Sequence, residues 1–97
     1  MSYMSDIADE IARELPAGLI PDEHPRDLML LYALLATTLG ASVTTKHVHD
    51  AWTVWMTSLG EEHESMVPFQ ALATDVQNED EPFAEAIRRV AARRGVG

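Results

Sequence analysis

The residues with the greatest potential for chemistry lie in the stretch KHVHDAWTVWM, residues 46 to 56. It holds two histidines, an aspartate and two tryptophans, a mixture that could form a metal or a catalytic site. On a helix, however, His47 and His49 point about 200° apart, so they cannot bind one ion together. His49 lies instead one turn before Trp52. The spacing therefore favours a core helix, with His49 at the edge of its apolar face.

The rest of the chain adds little to a catalytic or metal hypothesis. There is no cysteine, and no HExxH pattern accompanies His24 or His63. The glycines are scattered and form no phosphate-binding loop, and no sharp turn presents a serine or threonine as a nucleophile. Many carboxylates are present, but no pair is marked out for acid–base work. We predict no enzyme activity, no metal and no cofactor.

Length and charge limit the possibilities further. The 97 residues suit one domain, residues 1–97, and the net charge of −9 disfavours binding to nucleic acid. The N-terminal segment has no basic or apolar run typical of a signal peptide. The most apolar stretch is shorter than the roughly 20 residues of a membrane span. We expect a cytoplasmic protein that does not cross a membrane.

The spacing of apolar residues predicts the helices that position the histidines and tryptophans. Residues 5 to 15 repeat apolar side chains at helical spacing, and Ser5 is a candidate N-cap. The segment PAGLIPDEHP, with three prolines, predicts a connector whose Leu19 and Ile20 lie against the core. Asp22 or His24 is the candidate cap of the second helix, with Pro25 in its first turn.

The second predicted helix is apolar nearly all round and ends at Gly40. Such a helix must be covered on several sides, either by the other helices or by a second copy of the chain. We expect a homodimer. The candidate interface residues are Leu30, Leu31, Tyr32 and Leu34.

The third helix contains the opening stretch. Thr44 is its predicted N-cap, and Val43 and Val48 have the spacing of a hydrophobic staple. Its apolar stripe consists of Val48, Ala51, Trp52, Trp55, Met56 and Leu59.

The C-terminal part predicts an exposed loop after Gly60 and then further helical segments. Thr74 and Gln77 have capping-box spacing. Pro82 restarts the helix, with Asp80 or Glu81 as its cap. Arginines crowd the last turns before Gly95, where they either complement the helix dipole or form a patch for an anionic ligand or an acidic partner. The fold prediction is all-α, a compact bundle of four to five helices around the second.

Residues 43–96 resemble the ryanodine-receptor-type (RyR) repeat. His49 and Trp52 match its His-x-x-Trp pair, and HESMVPFQAL, from His63 to Leu72, matches its second conserved segment. Asp80 and Gly95 fall where the repeat has a later Asp and Gly. The Gly-Trp-x-x-Gly loop of the repeat is missing, and Glu64 replaces a proline.

The resemblance implies a site for a nucleotide-derived small molecule. Its candidate ligand-binding residues are His49, Trp52, Trp55, His63 and Phe69, with Arg88 or Arg89 from the last helix meeting phosphate.

The whole chain also resembles short proteins of unassigned function from actinobacteria and their phages, through HPRDLMLLYALLA, VHDAWTVWM and NEDEPFAEAIRRVA. Three functions are therefore predicted. The first is an acidic interaction module that modulates an unidentified host protein. The second is the small-molecule sensor, and the third is an acidic mimic of DNA that inhibits a nucleic-acid-binding protein.

Overall fold

A computed structural model describes residues 2–96, in which every regular element is helical. Five α-helices follow one another: α1 (Tyr3–Glu14), α2 (Pro25–Leu39), α3 (Thr45–Ser58), α4 (Thr74–Asn78) and α5 (Glu81–Arg93). Short 3₁₀ turns lie at Ala17–Leu19, Gly40–Ser42 and Phe69–Ala71. The predicted all-α class is confirmed. No helix within residues 2–96 combines the length and the apolar character needed to cross a membrane.

Helix α1 begins one turn earlier than its sequence predicts. Ser2, not Ser5, is the N-cap, and its hydroxyl accepts a hydrogen bond from the Ser5 amide at 3.2 Å. Both serines have the chemistry of a cap, and the earlier one is used because Tyr3 and Met4 continue the helix. The buried face consists of Ile7, Ala8 and Ile11.

Helix α2 packs against α1, α3 and α5, which explains its apolar composition. His24 occupies the N-cap position in the left-handed conformation, with φ of 47°, but its side chain makes no capping hydrogen bond. His24, one of the two predicted candidates, is therefore the N-cap residue but without a side-chain bond, and Pro25 lies in the first turn as predicted. Gly40 ends the helix with φ of 56°, as predicted.

Helix α3 begins as predicted, at Thr44. The Thr44 hydroxyl bonds to the first turn of the helix, and His47 Nδ1 accepts from the Thr44 amide at 3.0 Å, which completes a capping box. Val43 and Val48 are both buried, as a hydrophobic staple requires. His47 thus serves the start of the helix while His49 points into the protein.

The segment between α3 and α5 is held by side-chain contacts. The predicted capping box at Thr74 is wrong, because Thr74 is the first residue of α4 and Ala73 occupies its N-cap position. The Gln77 side chain instead donates to the Phe69 carbonyl at 2.9 Å and fixes the preceding turn. Asp80 stands at the N-cap position of α5, but its carboxylate makes no capping hydrogen bond.

Helix α5 completes the core with five buried residues: Ala84, Ala86, Ile87, Val90 and Ala91. Its C-terminal arginines bond to α1. Arg93 and Arg94 both donate to Glu10, and the hydrogen bond from Arg93 holds the pKa of the Glu10 carboxyl below its usual value. Gly95 follows the end of the helix with φ of 77°, as predicted.

Candidate functional site

A cavity of about 560 Å³ lies where the connector before α2, the inner faces of α2 and α3, and the start of α5 meet. That volume falls within the range of small-molecule pockets, roughly 300–1,000 Å³. The lining residues are Gly18, Leu19, Ile20, Pro21, Leu28, Tyr32, His49, Trp52, Trp55, His63, Ser65, Leu72, Val76, Glu79, Asp80 and Phe83. Aromatic rings form much of the wall, and polar groups enter at a few defined points.

Trp52 is the centre of an aromatic cluster. The His49 ring stacks on it with a centroid distance of 5.8 Å, and the His63 ring meets it edge-on at 5.5 Å. Phe69 packs on the other side of the cluster, 6.1 Å from His49. His63 is exposed, so this end of the pocket opens to solvent.

His49 is a buried polar residue, with only 4 % of its surface exposed. Its Nε2 lies 2.7 Å from the Val67 carbonyl oxygen. Because a carbonyl can only accept, Nε2 carries a proton and donates it. Within residues 2–96 the other ring nitrogen, Nδ1, has no hydrogen-bond partner, and it is not sealed from solvent. A ring that carries this one proton offers Nδ1 to the pocket as a hydrogen-bond acceptor.

Tyr32 and Asp80 face the same cavity from α2 and from the start of α5. Burial raises the pKa of Tyr32, and the charge of Asp80 raises it further. Burial also raises the pKa of Asp80 to about 6, since desolvation outweighs the favourable charge of His49, and Glu79 adds to the rise. Neither side chain has a hydrogen-bond partner among residues 2–96.

Trp55 connects α3 to the connector. Its indole Nε1 donates to the His24 carbonyl at 3.2 Å, and the residue is only 6 % exposed. The bond holds the turn before α2 against α3, so the connector residues Gly18 to Pro21 close one side of the pocket.

The structure brings together four of the seven candidate ligand-binding residues. His49, Trp52, Trp55 and His63 line the pocket, and Phe69 lies behind it against His49.

Both candidate arginines lie elsewhere. Arg88 donates to the Val43 carbonyl at 2.8 Å and to Glu81 at 2.7 Å. Arg89 donates to Glu14 at 3.1 Å. Neither lines the cavity, so the suggested phosphate contact has no arginine at this site.

Two central pocket residues, Tyr32 and Phe83, were not predicted from the sequence to line a site. Tyr32, a candidate interface residue, is 2 % exposed and belongs to the core and the pocket wall. Phe83 lies with its ring 5.8 Å from the Tyr32 ring, and no sequence motif marked it as a pocket residue. Asp80 was noted as a cap and as a match to the RyR pattern. The connector wall of the pocket could have been predicted from Leu19 and Ile20, because two apolar residues in a proline-rich connector indicate contact with the rest of the protein.

A shallower groove of about 430 Å³ runs between α2 and α3 on the opposite side of Trp55. The candidate interface residues Leu30, Leu31 and Leu34 line it, together with Val54. Leu34 is 48 % exposed and Val54 is 55 % exposed. The groove is an apolar surface on the face of α2 that the other helices leave open.

No group of three side chains able to hold a metal ion comes together in the part of the chain from residue 2 to 96. His47 is engaged in the capping box, and His49 and His63 are separated by their contacts with Trp52.

The chain belongs to a family described as a domain of unknown function (DUF7701), whose model matches residues 2–92. The match includes α1 to α4 and nearly all of α5, and with them every residue that lines the pocket. No curated protein and no solved structure matches the chain.

Proposed function

We propose that this domain binds a small organic molecule in the cavity beside Trp52, and that it acts as a binding or sensing module rather than as an enzyme. The observation that carries the proposal is a set of polar atoms on buried residues that face the cavity and make no hydrogen bond within residues 2–96, although they are not sealed from solvent. Tyr32 is 2 % exposed and His49 is 4 % exposed, yet each has a polar atom without a partner in residues 2–96.

Most polar atoms of buried residues are hydrogen-bonded within the protein. Here the Tyr32 hydroxyl and His49 Nδ1 instead face a single pocket, together with a half-buried carboxylate, Asp80, whose pKa is raised to about 6. Groups of this kind collect at binding sites, where a ligand supplies the missing hydrogen bonds. The proposed resemblance to the RyR-type repeat also favours this pocket, since its motif residues His49, Trp52 and His63 line the cavity.

A thermal-shift screen of small molecules tests this proposal. It would include the adenine nucleotides, cyclic dinucleotides and ADP-ribose suggested by the resemblance. A ligand present at about 100 times its Kd adds about 2.7 kcal/mol to the free energy of unfolding. For a domain of this size the melting temperature should rise by roughly 10–20 °C.

A matched pair of variants makes the screen specific. Trp52→Ala removes the centre of the aromatic cluster and should abolish the shift, whereas Leu34→Ala alters an exposed leucine outside the pocket and should keep it. Hits that stabilise Trp52→Ala as strongly as the wild type would contradict binding in this cavity.

A second candidate function is homodimerisation through the groove between α2 and α3. It is supported by Leu34 and Val54, which both line that groove and expose apolar side chains. A dimer would fit the broader hypothesis of a cytoplasmic, phage- or actinobacterium-encoded accessory protein that modulates a host protein.

Sedimentation velocity tests the dimer. The wild type should sediment as a concentration-dependent dimer, and Leu34→Glu should shift it to monomer because a charge in an apolar contact is unfavourable. Asp75→Asn, an exposed change outside the groove, is the control. A monomeric wild type at high concentration would contradict the dimer.

A further inference from the structure

The charges and hydrogen-bonding groups of the pocket identify the class of its ligand, an inference that rests on the proposed function. We infer that the ligand is a small organic cation, a protonated amine, amidine or guanidine carried on a ring, that lies against Trp52 and donates hydrogen bonds to Asp80 and His49.

The charge of the lining is the first argument. Glu79 and Asp80 contribute carboxylates, and no lysine or arginine is found among the lining residues. The candidate cations from α5 are engaged elsewhere, Arg88 with Glu81 and Arg89 with Glu14. A phosphate or carboxylate ligand would therefore meet two carboxylates and neither lysine nor arginine among the lining residues, whereas a cation meets opposite charge.

The hydrogen-bonding capacity of the lining is the second argument. When the His49 ring carries a single proton, that proton lies on Nε2, which donates to the Val67 carbonyl, and Nδ1 is an acceptor. The Asp80 carboxylate is also an acceptor, and within residues 2–96 no donor is bonded to it. Two convergent acceptors require a ligand with more than one N–H donor, which an amidinium or ammonium group provides.

The aromatic wall is the third argument. Trp52, Trp55, Tyr32 and Phe83 surround these acceptors. The face of an aromatic ring is electron-rich and attracts a cation, most strongly in tryptophan. The same rings can cover a flat apolar part of the ligand. A neutral apolar ligand would instead leave the Asp80 carboxylate buried without a partner.

Calorimetric titration with benzamidine, benzamide and benzoate tests the inference. The three probes share size and shape but carry positive, zero and negative charge. Benzamidine should bind about tenfold more tightly than benzamide, because a hydrogen bond between charged partners is worth at least that ratio. Benzoate should bind most weakly.

Asp80→Asn should remove the preference for benzamidine. Asp75→Asn, the same change at an exposed position of α4, makes the same alteration to the net charge and should keep the preference.

The pH dependence supplies a second readout. The affinity for benzamidine should rise between about pH 5 and about pH 7.5 as Asp80 ionises. His49 from α3, His63 from the loop and Glu79 also face the pocket, and protonated histidines would weaken cation binding in the same direction. Only the part of the pH dependence that disappears in Asp80→Asn belongs to Asp80, and Tyr32 stays neutral throughout this range.

Each outcome decides one of the two proposals. Equal affinity for the three probes, or tightest binding of benzoate, would overturn the cation inference and leave a pocket that binds small molecules. If none of the probes binds at millimolar concentration the cation inference is also wrong, and the thermal-shift screen then decides the proposed function separately.

Discussion

The carboxyl group of Asp80 lies half-buried at the start of α5, beside the phenol of Tyr32 and the ring of His49. At a helix N-terminus a carboxylate ordinarily caps the first amides, but Asp80 makes no such bond. Burial instead raises its pKa to about 6. A carboxylate placed in this way destabilises the protein once it is ionised, which is typical of a residue retained for binding.

The first prediction concerns Asp80→Asn. The folded-state pKa of about 6 exceeds the usual 3.8, so the protonated group favours folding. That stability is fully present below about pH 3.8 and is lost as the pH rises through about 6. After allowance for screening by solvent, Asp80→Asn should be more stable than the wild type by about 1–2 kcal/mol at about pH 8. The two proteins should be equally stable at about pH 4.

Urea unfolding at both pH values measures the effect, with Asp75→Asn as the exposed control. A wild type that is the more stable protein at about pH 8 would show that Asp80 makes favourable interactions and would contradict its assignment as an unpartnered carboxylate.

A second prediction at this scale concerns the bond between His49 and Val67. His49→Phe keeps an aromatic ring but leaves the Val67 carbonyl without its donor. The loss should be about 1–3 kcal/mol in the free energy of unfolding. Amide hydrogen exchange should also become faster in residues 63–72, which that bond ties to α3. Unchanged exchange in this segment would show that other contacts hold it.

Part of the site was predictable at the residue scale, for a physical reason. His49, Trp52 and Trp55 share one helix, so their relative positions follow from helical periodicity. Asp80, Tyr32 and Phe83 come from α2 and from the start of α5, and their convergence depends on how those helices pack. No local pattern shows that Asp80 leaves the helix start uncapped.

At the scale of elements, the start of α3 was predicted correctly because two reciprocal signals mark it, whereas the caps predicted at Ser5 and Thr74 rested on weaker signals. Thr44 has both a staple, Val43 with Val48, and a side chain that bonds to the first turn. Ser5 had only its own cap chemistry, and Ser2 has the same chemistry one turn earlier. Thr74 failed because Gln77 bonds to Phe69 instead of to the helix start.

The third prediction follows from the start of α3. Thr44→Ala removes one half of the capping box and should lower the free energy of unfolding by about 0.5–2 kcal/mol. Thr57→Ala at the other end of α3 removes only an exposed hydroxyl that bonds to Thr53 within the helix, and it should change stability by less than about 0.5 kcal/mol. Equal effects of the two changes in chemical denaturation would contradict the importance of the box.

At the scale of the whole molecule, ion pairs join the C-terminal end of α5 to α1. Arg93 bridges Glu10 and Glu14 of α1, and Arg94 also bonds to Glu10. The sequence shows basic residues in the last turn of α5, but only the packing of α5 on α1 shows their partners. The same pairing engages carboxylates that a DNA mimic would have to present, so that hypothesis gains no support from α1.

The fourth prediction concerns this charged cluster. Arg93→Gln should lower the melting temperature at low ionic strength, and the difference from the wild type should shrink in high salt because surface charges are screened. Arg13→Gln, at an exposed position on α1, is the control. A difference that is independent of salt would show that Arg93 contributes through packing and not through its ion pairs.

The central claim is that the cavity beside Trp52 binds a small molecule, and the two tryptophans of the chain, Trp52 and Trp55, both line that cavity. The most direct test is a two-dimensional ¹H–¹⁵N NMR spectrum of the labelled protein, recorded while small molecules are added in turn. A ligand should shift both indole N–H signals, and Trp52→Ala should weaken the effect on the Trp55 signal. Indole signals that stay in place with every compound, or binding whose shifts map to the groove around Leu34, would contradict it.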